Sequence, residues 1–191
     1  MARGTSQSLG APGYSQGIDY NSETGIYAGT WTSNVDFGDG TEREYDFWVG
    51  YRHPVGKWTF DYCVARYGYI KSPTLIDMYE VKVNISRTWG KWTLAQTVAF
   101  SPEYFNYANI SMWYETSATY NITPKWALST AVGYQNIQDG GIYRSYGCFN
   151  AGANYKYSDH LSFDLRYFDT NDHGQGKAWD PALAIGFRVT F

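Results

Sequence analysis

Tyr79-Glu80-Val81-Lys82-Val83-Asn84-Ile85-Ser86-Arg87-Thr88-Trp89, a Gly90-Lys91 step, and then Trp92-Thr93-Leu94-Ala95-Gln96-Thr97-Val98-Ala99-Phe100 decide the fold. Tyr79, Val81, Val83, Ile85 and Trp89 alternate with Glu80, Lys82, Asn84, Ser86 and Thr88. A period of two over that length means a strand with one apolar and one polar face, because successive side chains leave a strand on opposite sides. After the tight turn the register resumes at Trp92, Leu94, Val98 and Phe100, so the stretch is a β-hairpin with aromatics at both ends of its apolar face. Strands in soluble sheets are usually about 5–6 residues long. These run about ten to twelve, the length a tilted strand needs to cross a bilayer. At about 3.3 Å per residue and about 40° of tilt, Tyr79 to Trp89 span roughly 25 Å, the height of the apolar band on a transmembrane barrel.

The hairpin recurs. Gly56-Lys57-Trp58, Gly90-Lys91-Trp92 and Pro124-Lys125-Trp126 are spaced by 34 and 34 residues (91−57, 125−91), as are Tyr45 and Tyr79, and Phe100 and Tyr134. Helical repeats can share such a period. Here the apolar spacing inside each unit is two, so each unit is a pair of strands.

Carried along the chain, this reading gives about eleven strands with short and long connections in alternation. Short turns fall near residues 22, 55, 90, 123 and 158, and long loops near 39, 73, 104, 141 and 174. The loops at Ser101–Tyr107 and Gln138–Arg144 belong to the long set, and Phe168–Asp180 is the longest. Short turns on one side and long loops on the other are the pattern of bacterial outer-membrane barrels, with the short turns periplasmic. Outward aromatics gather in two girdles: Tyr20, Tyr27, Tyr51, Trp58, Trp89, Trp92, Tyr120, Trp126 and Tyr157 near the short turns, and Tyr45, Tyr79, Phe100, Tyr134 and Tyr167 near the long loops. A soluble β-sandwich would also alternate, but it does not account for aromatics at both ends of nearly every strand. The terminal Phe191, closing a final strand, points the same way.

Composition agrees. The 191 residues suit one domain, 1–191, with a net charge of −3 that leaves no basic footprint for nucleic acid. Mean hydropathy is −0.46 and no apolar run approaches a membrane helix, which is expected of a barrel whose inner wall is polar. The opening Met1-Ala2-Arg3-Gly4 shows no signal-peptide pattern, and the two cysteines, Cys63 and Cys148, sit at different depths, which argues against a disulfide.

The strand count implies one more strand. The last strand ends on the short-turn side, so the strand at Tyr14–Tyr20 descends from the long-loop side. An ascending strand should precede it, and residues 1–10 are too few and too polar to supply one. Single-chain bacterial barrels are even-numbered, so the expectation is a complete barrel of twelve.

Arg3-Gly4-Thr5-Ser6-Gln7-Ser8, Gln16-Gly17-Ile18-Asp19-Tyr20, Gly25-Ile26-Tyr27-Ala28-Gly29-Thr30-Trp31 and Ser33-Asn34-Val35-Asp36-Phe37, continued by Glu44-Tyr45-Asp46 and Gly50-Tyr51-Arg52, resemble the TorF family of proteobacterial outer-membrane proteins, which has no established function. The resemblance covers roughly residues 3–52 and implies a barrel fold and an outer-membrane location; it carries no catalytic residues. In that family a signal peptide and a strand precede the Arg-Gly step, in keeping with the strand count.

The inward positions hold the chemistry. Glu42, Glu44, Asp46, Asp61, Glu80, Glu115 and Asp164 are the acidic lumen-lining candidates, with Asp19 beside them; Arg52, Lys82, Arg166 and Arg188 are the basic ones, with Lys156. Three carboxylates on one strand face read as a negative patch favouring cations in a pore, or as partners for Arg and Lys across the lumen. Inward Trp48, Tyr67, Tyr69, Trp113, Tyr146 and Phe168 narrow or fill that lumen. The membrane-interface set is Tyr45, Tyr51, Trp58, Tyr79, Trp89, Trp92, Tyr120, Trp126, Tyr134, Tyr157 and Tyr167. No inward Ser or Cys has a histidine at its depth, and Asp169, Asn171, Asp172 and His173 match no metal-loop spacing, so neither an enzyme, a metal nor a cofactor is expected. The reading is a transmembrane antiparallel β-barrel of the Gram-negative outer membrane, working as a narrow passive channel with a weak cation preference or as a non-conducting interaction barrel, with lipid, other copies or other membrane proteins as partners.

Overall fold

The computed structural model of the chain describes residues 1–73, 77–104, 110–138 and 144–191. The expected loops at Ser101–Tyr107 and Gln138–Arg144 lie partly outside them. Eleven strands follow one another: β1 (Ser15–Asn21), β2 (Ile26–Asn34), β3 (Arg43–Val55), β4 (Trp58–Ile70), β5 (Met78–Trp89), β6 (Trp92–Ser101), β7 (Ser111–Asn121), β8 (Trp126–Ile137), β9 (Tyr146–Lys156), β10 (Leu161–Thr170) and β11 (Ala182–Val189). Each pairs antiparallel with the next in one sheet of order β1 to β11, an up-and-down meander.

The quoted hairpin is β5–β6, flush at Trp89↔Trp92. Gly90 has φ 58° and Gly56 has φ 60°, while Lys91 and Lys57 stay at negative φ. A glycine at the first central position of a two-residue loop matches the twist of the strands it joins. The third copy departs from this: proline cannot adopt positive φ. The β7–β8 connection is instead held by Thr123, whose Oγ1 accepts from the Lys125 and Trp126 amides at 3.2 and 3.0 Å.

The sheet curls with its polar face inside. Side chains reach across an intervening strand on that face: Tyr27 of β2 donates to Asp61 of β4, and Arg166 of β10 donates to Ser129 of β8 at 2.7 Å. The apolar face is left outside, with Val49, Val64, Val81, Leu128, Val132, Leu165 and Ile185 all exposed. Burial is therefore inverted relative to a soluble protein. Glu80, Gln135, Ser101 and Ser111 are the largest fully buried side chains, while most strand leucines and valines, such as Val49, Val81, Leu128 and Leu165, lie on the surface.

An expectation about facing is corrected. Tyr27 and Trp31 turn inward, and the outward face of β2 is Ile26, Ala28, Thr30 and Thr32, set opposite Tyr51, Val49, Phe47 and Tyr45. The reason is room: Gly50 of β3 leaves a gap that the Tyr27 ring fills, so closely that a Cβ there would lie 2.2 Å from the ring. The short turn expected near residue 55 falls at Gly56-Lys57, and His53 stays in β3, where it stacks outward on Tyr51 at 5.2 Å.

Candidate functional site

The residues ahead of β1 enter the lumen from the long-loop end. A tight turn, with Ala2 and Thr5 exchanging amide hydrogen bonds, sets Arg3 at its tip. Arg3 Nη1 donates to Gln135 Oε1 on β8 at 2.7 Å, and Nη2 donates to Glu80 Oε1 on β5 at 2.5 Å. Its guanidinium also lies 5.0 Å from the Trp113 ring centroid on β7. Gly4 presses on Cys148 of β9 and Thr170 of β10, where an added Cβ would sit 2.5 Å from the Cys148 Cβ. The Ser6 amide donates to the Ala178 carbonyl at 2.7 Å, and Gln7 Nε2 donates to Glu44 at 2.8 Å. One short segment thus touches β3, β5, β7, β8, β9 and β10 on the inner face of the sheet. Burial works against the Arg3 charge, but Glu80, together with Tyr104 and Tyr67, offsets it and holds the guanidinium above its ordinary pKa.

Around this plug the polar wall forms a network. Glu80 accepts from Arg3 and from Tyr67 at 3.0 Å, and Lys82 lies 3.4 Å away while also donating to Tyr67. Glu44 accepts from Gln7 and from Tyr69 at 3.0 Å. Asp46 is buried, and its Oδ1 has no hydrogen-bond partner among the described residues. Towards the short-turn end Arg52 pairs with Asp61 at 3.0 Å, and Arg166 pairs with Asp164 at 3.0 Å while donating to Asn150 at 2.7 Å. Arg188 lies opposite Ser162 and Glu115 opposite Gly133. Glu42 lies elsewhere: it precedes β3 at the long-loop rim, exposed and paired with Lys71 at 2.9 Å. Below the plug a cavity of about 320 Å³ is lined by Tyr27, Asp46, Trp48, Cys63, Ala65, Tyr67 and Lys82.

The outer face carries the interfacial rings. Tyr51, Trp58, Tyr79, Trp89, Trp92, Trp126, Tyr134, Tyr157 and Tyr167 are exposed. Tyr45 is partly covered by Arg66, 5.2 Å from its ring, and Tyr120 by Trp92 at 4.7 Å. Among the outward polar residues that break the alternation are Arg87 and Gln96. Arg87 lies 5.3 Å from the Trp58 ring near the short-turn rim, and Gln96 accepts from Thr116 at 2.6 Å in mid-strand.

Arg3, Gln7, Gln135 and Tyr27 are members of the site that periodicity did not single out. Both cysteines are free. Among the described residues no group of three or more His, Cys, Asp or Glu is placed to hold a metal ion.

The fold is that of porins. The solved structure titled "NanC porin structure in rhombohedral crystal form" superposes with a TM-score of 0.74 at 11% identity, covering 94% of this chain and 97% of that one. A porin refined at 1.8 Å superposes with a TM-score of 0.51 at 13% identity, and OccD1 (OprD) with 0.52 at 12%; each is matched over 92% of this chain but only 60% and 58% of its own length. At such identities the likeness is one of fold, a transmembrane antiparallel β-barrel. No curated protein matches the chain. A family model described as "Bacterial protein of unknown function (Gcw_chp)" matches residues 1–182.

Proposed function

The chain belongs to the bacterial Gcw_chp family, and from its fold and inner wall we propose that it is a narrow passive channel of the Gram-negative outer membrane for small solutes and ions, with a weak preference for cations. The observation that carries this reading is the excess of acidic over basic side chains left without an ion pair on the lumen wall. Among the described residues, Glu44, Asp46 and Glu115 form no ion pair, whereas Arg52 and Arg166 each have an acid, Arg3 and Lys82 share Glu80, and Arg188 alone of these bases is left without one. Fixed carboxylates in a confined pore attract cations and repel anions. The porin fold of the neighbours and the resemblance to the TorF family support the location, and the girdles of Trp and Tyr suit its two interfaces.

A second reading, a barrel that does not conduct, has its own observation: Glu80, Gln135, Ser101 and Ser111 are at most 1% exposed, so protein covers the lumen at their level. Planar-bilayer recording of the purified protein across a salt gradient separates the two. Small conductance steps with a reversal potential on the cation side support the channel. Silence in both the wild type and an Arg3→Ala variant supports the closed barrel and ends the channel reading.

A further inference from the structure

The cavity below the plug has the chemistry of a binding site. Its wall spans β2 to β5, and it carries one acid, one base and three aromatic rings, of which Trp48 is the largest. Asp46 on β3 is 8% exposed and lines the cavity, and its Oδ1 is buried without a hydrogen-bond partner among the described residues. A buried carboxylate oxygen left unmatched is costly, so such a group marks a place where something else binds. Lys82 on β5 sits level with Cys63 and Gly50, further towards the short turns than Asp46, which is level with Tyr67. Its long stem carries the ammonium back to Tyr67, at the depth of Asp46. An ammonium has three N–H donors. Lys82 directs one at Tyr67 and shares its charge with Glu80 at 3.4 Å.

β3 and β5 are separated by β4, so the two charged side chains approach from backbones about 10 Å apart. Between them β4 offers Ala65, a side chain too small to fill the gap, and Trp48 supplies an apolar wall. The other polar groups of the lining are occupied: the Tyr27 hydroxyl donates to Asp61 and the Tyr67 hydroxyl to Glu80.

We propose that this cavity binds a small zwitterion of the α-amino-acid class, its ammonium on Asp46 Oδ1, its carboxylate on Lys82, and its side chain against Trp48. Charge balance selects this class. A simple cation at Asp46 is set beside the Lys82 ammonium, and a simple anion at Lys82 is set beside Asp46. A ligand carrying both charges meets each with its opposite. At about 320 Å³ the space suits a molecule of that size, at the lower end of ligand-pocket volumes. The proposal deepens the channel reading and rests on it for the ligand's route, while the site itself is tested without conduction.

The test is calorimetric titration of the purified protein in detergent with L-alanine, n-propylamine, propionate and sodium chloride, read alongside the Trp48 indole N–H resonance. L-Alanine is expected to bind at least about tenfold more tightly than propylamine or propionate and to shift the Trp48 signal, since each charge-assisted contact is worth about tenfold or more. Asp46→Asn and Lys82→Met should each weaken L-alanine by about tenfold, with folding checked by heat-modified gel mobility, while Asp19→Asn should leave binding unchanged. Propylamine or sodium ions binding as tightly as L-alanine, no probe binding at all, or unchanged affinity in well-folded Asp46→Asn would each overturn the proposal. Conductance without L-alanine binding would sink the site and spare the channel; binding without conductance would do the reverse.

Discussion

Arg3 and Gln135 meet across the lumen at 2.7 Å although 132 positions separate them in the chain. With Glu80 as the second partner, the guanidinium ties β5 to β8 through a segment that belongs to neither. A fork of donors suits this role, because it addresses two acceptors at fixed angles.

Arg3→Ala should therefore both loosen and open the barrel. Glu80, 1% exposed, would keep the Tyr67 hydroxyl at 3.0 Å and, as its only cation, Lys82 at 3.4 Å. Removing one partner of a buried pair costs roughly 3 kcal/mol, which denaturant unfolding from micelles would read. The double variant Arg3→Met, Glu80→Gln should recover part of that loss, because the fully buried Glu80 charge goes with its partner, while the more exposed Lys82 loses its acid. Single-channel conductance should rise in both.

Gly133 sets the position of Trp113. An added Cβ at Gly133 would lie 2.1 Å from the Trp113 ring, and that ring faces Arg3 at 5.0 Å. Gly133→Ala must push the indole off its seat, at a cost of about 1–3 kcal/mol. Gly174→Ala, where nothing lies within 4 Å, is the matched control and should change stability little. Melting temperatures of the two variants in one detergent check the difference.

What was legible in the sequence follows from which force wrote it. Lipid acts on every outward position alike, so Val81, Val83, Leu128 and Leu165 print a period of two that needs no knowledge of neighbours. Interior contacts leave no such period. Arg3 lies in a Gly- and Ser-rich stretch that reads as loop, and its partner Glu80 is 77 residues away. Tyr27 reads as outward because an amphipathic ring suits a lipid interface and a polar lumen equally. Its side is decided by strand register and by the gap at Gly50, which are properties of the neighbouring strand. Arg87 and Gln96 were passed over because alternation tolerates single breaks.

The depth of the apolar band gives a graded prediction. Val83 lies near the middle of β5 and faces outward, paired with Val98 and Tyr62, while Tyr79 lies at the long-loop end. Val83→Arg should cost about 2–4 kcal/mol and Tyr79→Arg no more than about 1, because an arginine at the interface keeps its charge in water. Urea unfolding from phospholipid vesicles would give both values. Equal costs would mean that this face does not meet hydrocarbon.

The cover over the plug should depend on pH through His173. Its Nε2 lies 2.7 Å from Asp169 Oδ1, and that hydrogen bond raises the His173 pKa above its ordinary value. His173 opens the turn His173–Gln175, and the next turn, Lys177–Trp179, holds the plug: Ala178 accepts from the Ser6 amide at 2.7 Å, and Trp179 packs on Tyr146 at 4.6 Å. A pKa raised on folding contributes stability that is complete below the unfolded value of about 6.5 and lost as pH climbs through the folded one. The loop should therefore be tightest in mild acid, and proteolytic nicking within residues 171–181 should run faster at alkaline pH. Asp169→Asn should lower the His173 titration midpoint in NMR and flatten the pH dependence of nicking. The ring and carboxylate are both solvent-accessible, so the effect should also shrink as salt is raised. A midpoint unmoved by Asp169→Asn would show that the carboxylate does not hold the imidazolium in solution.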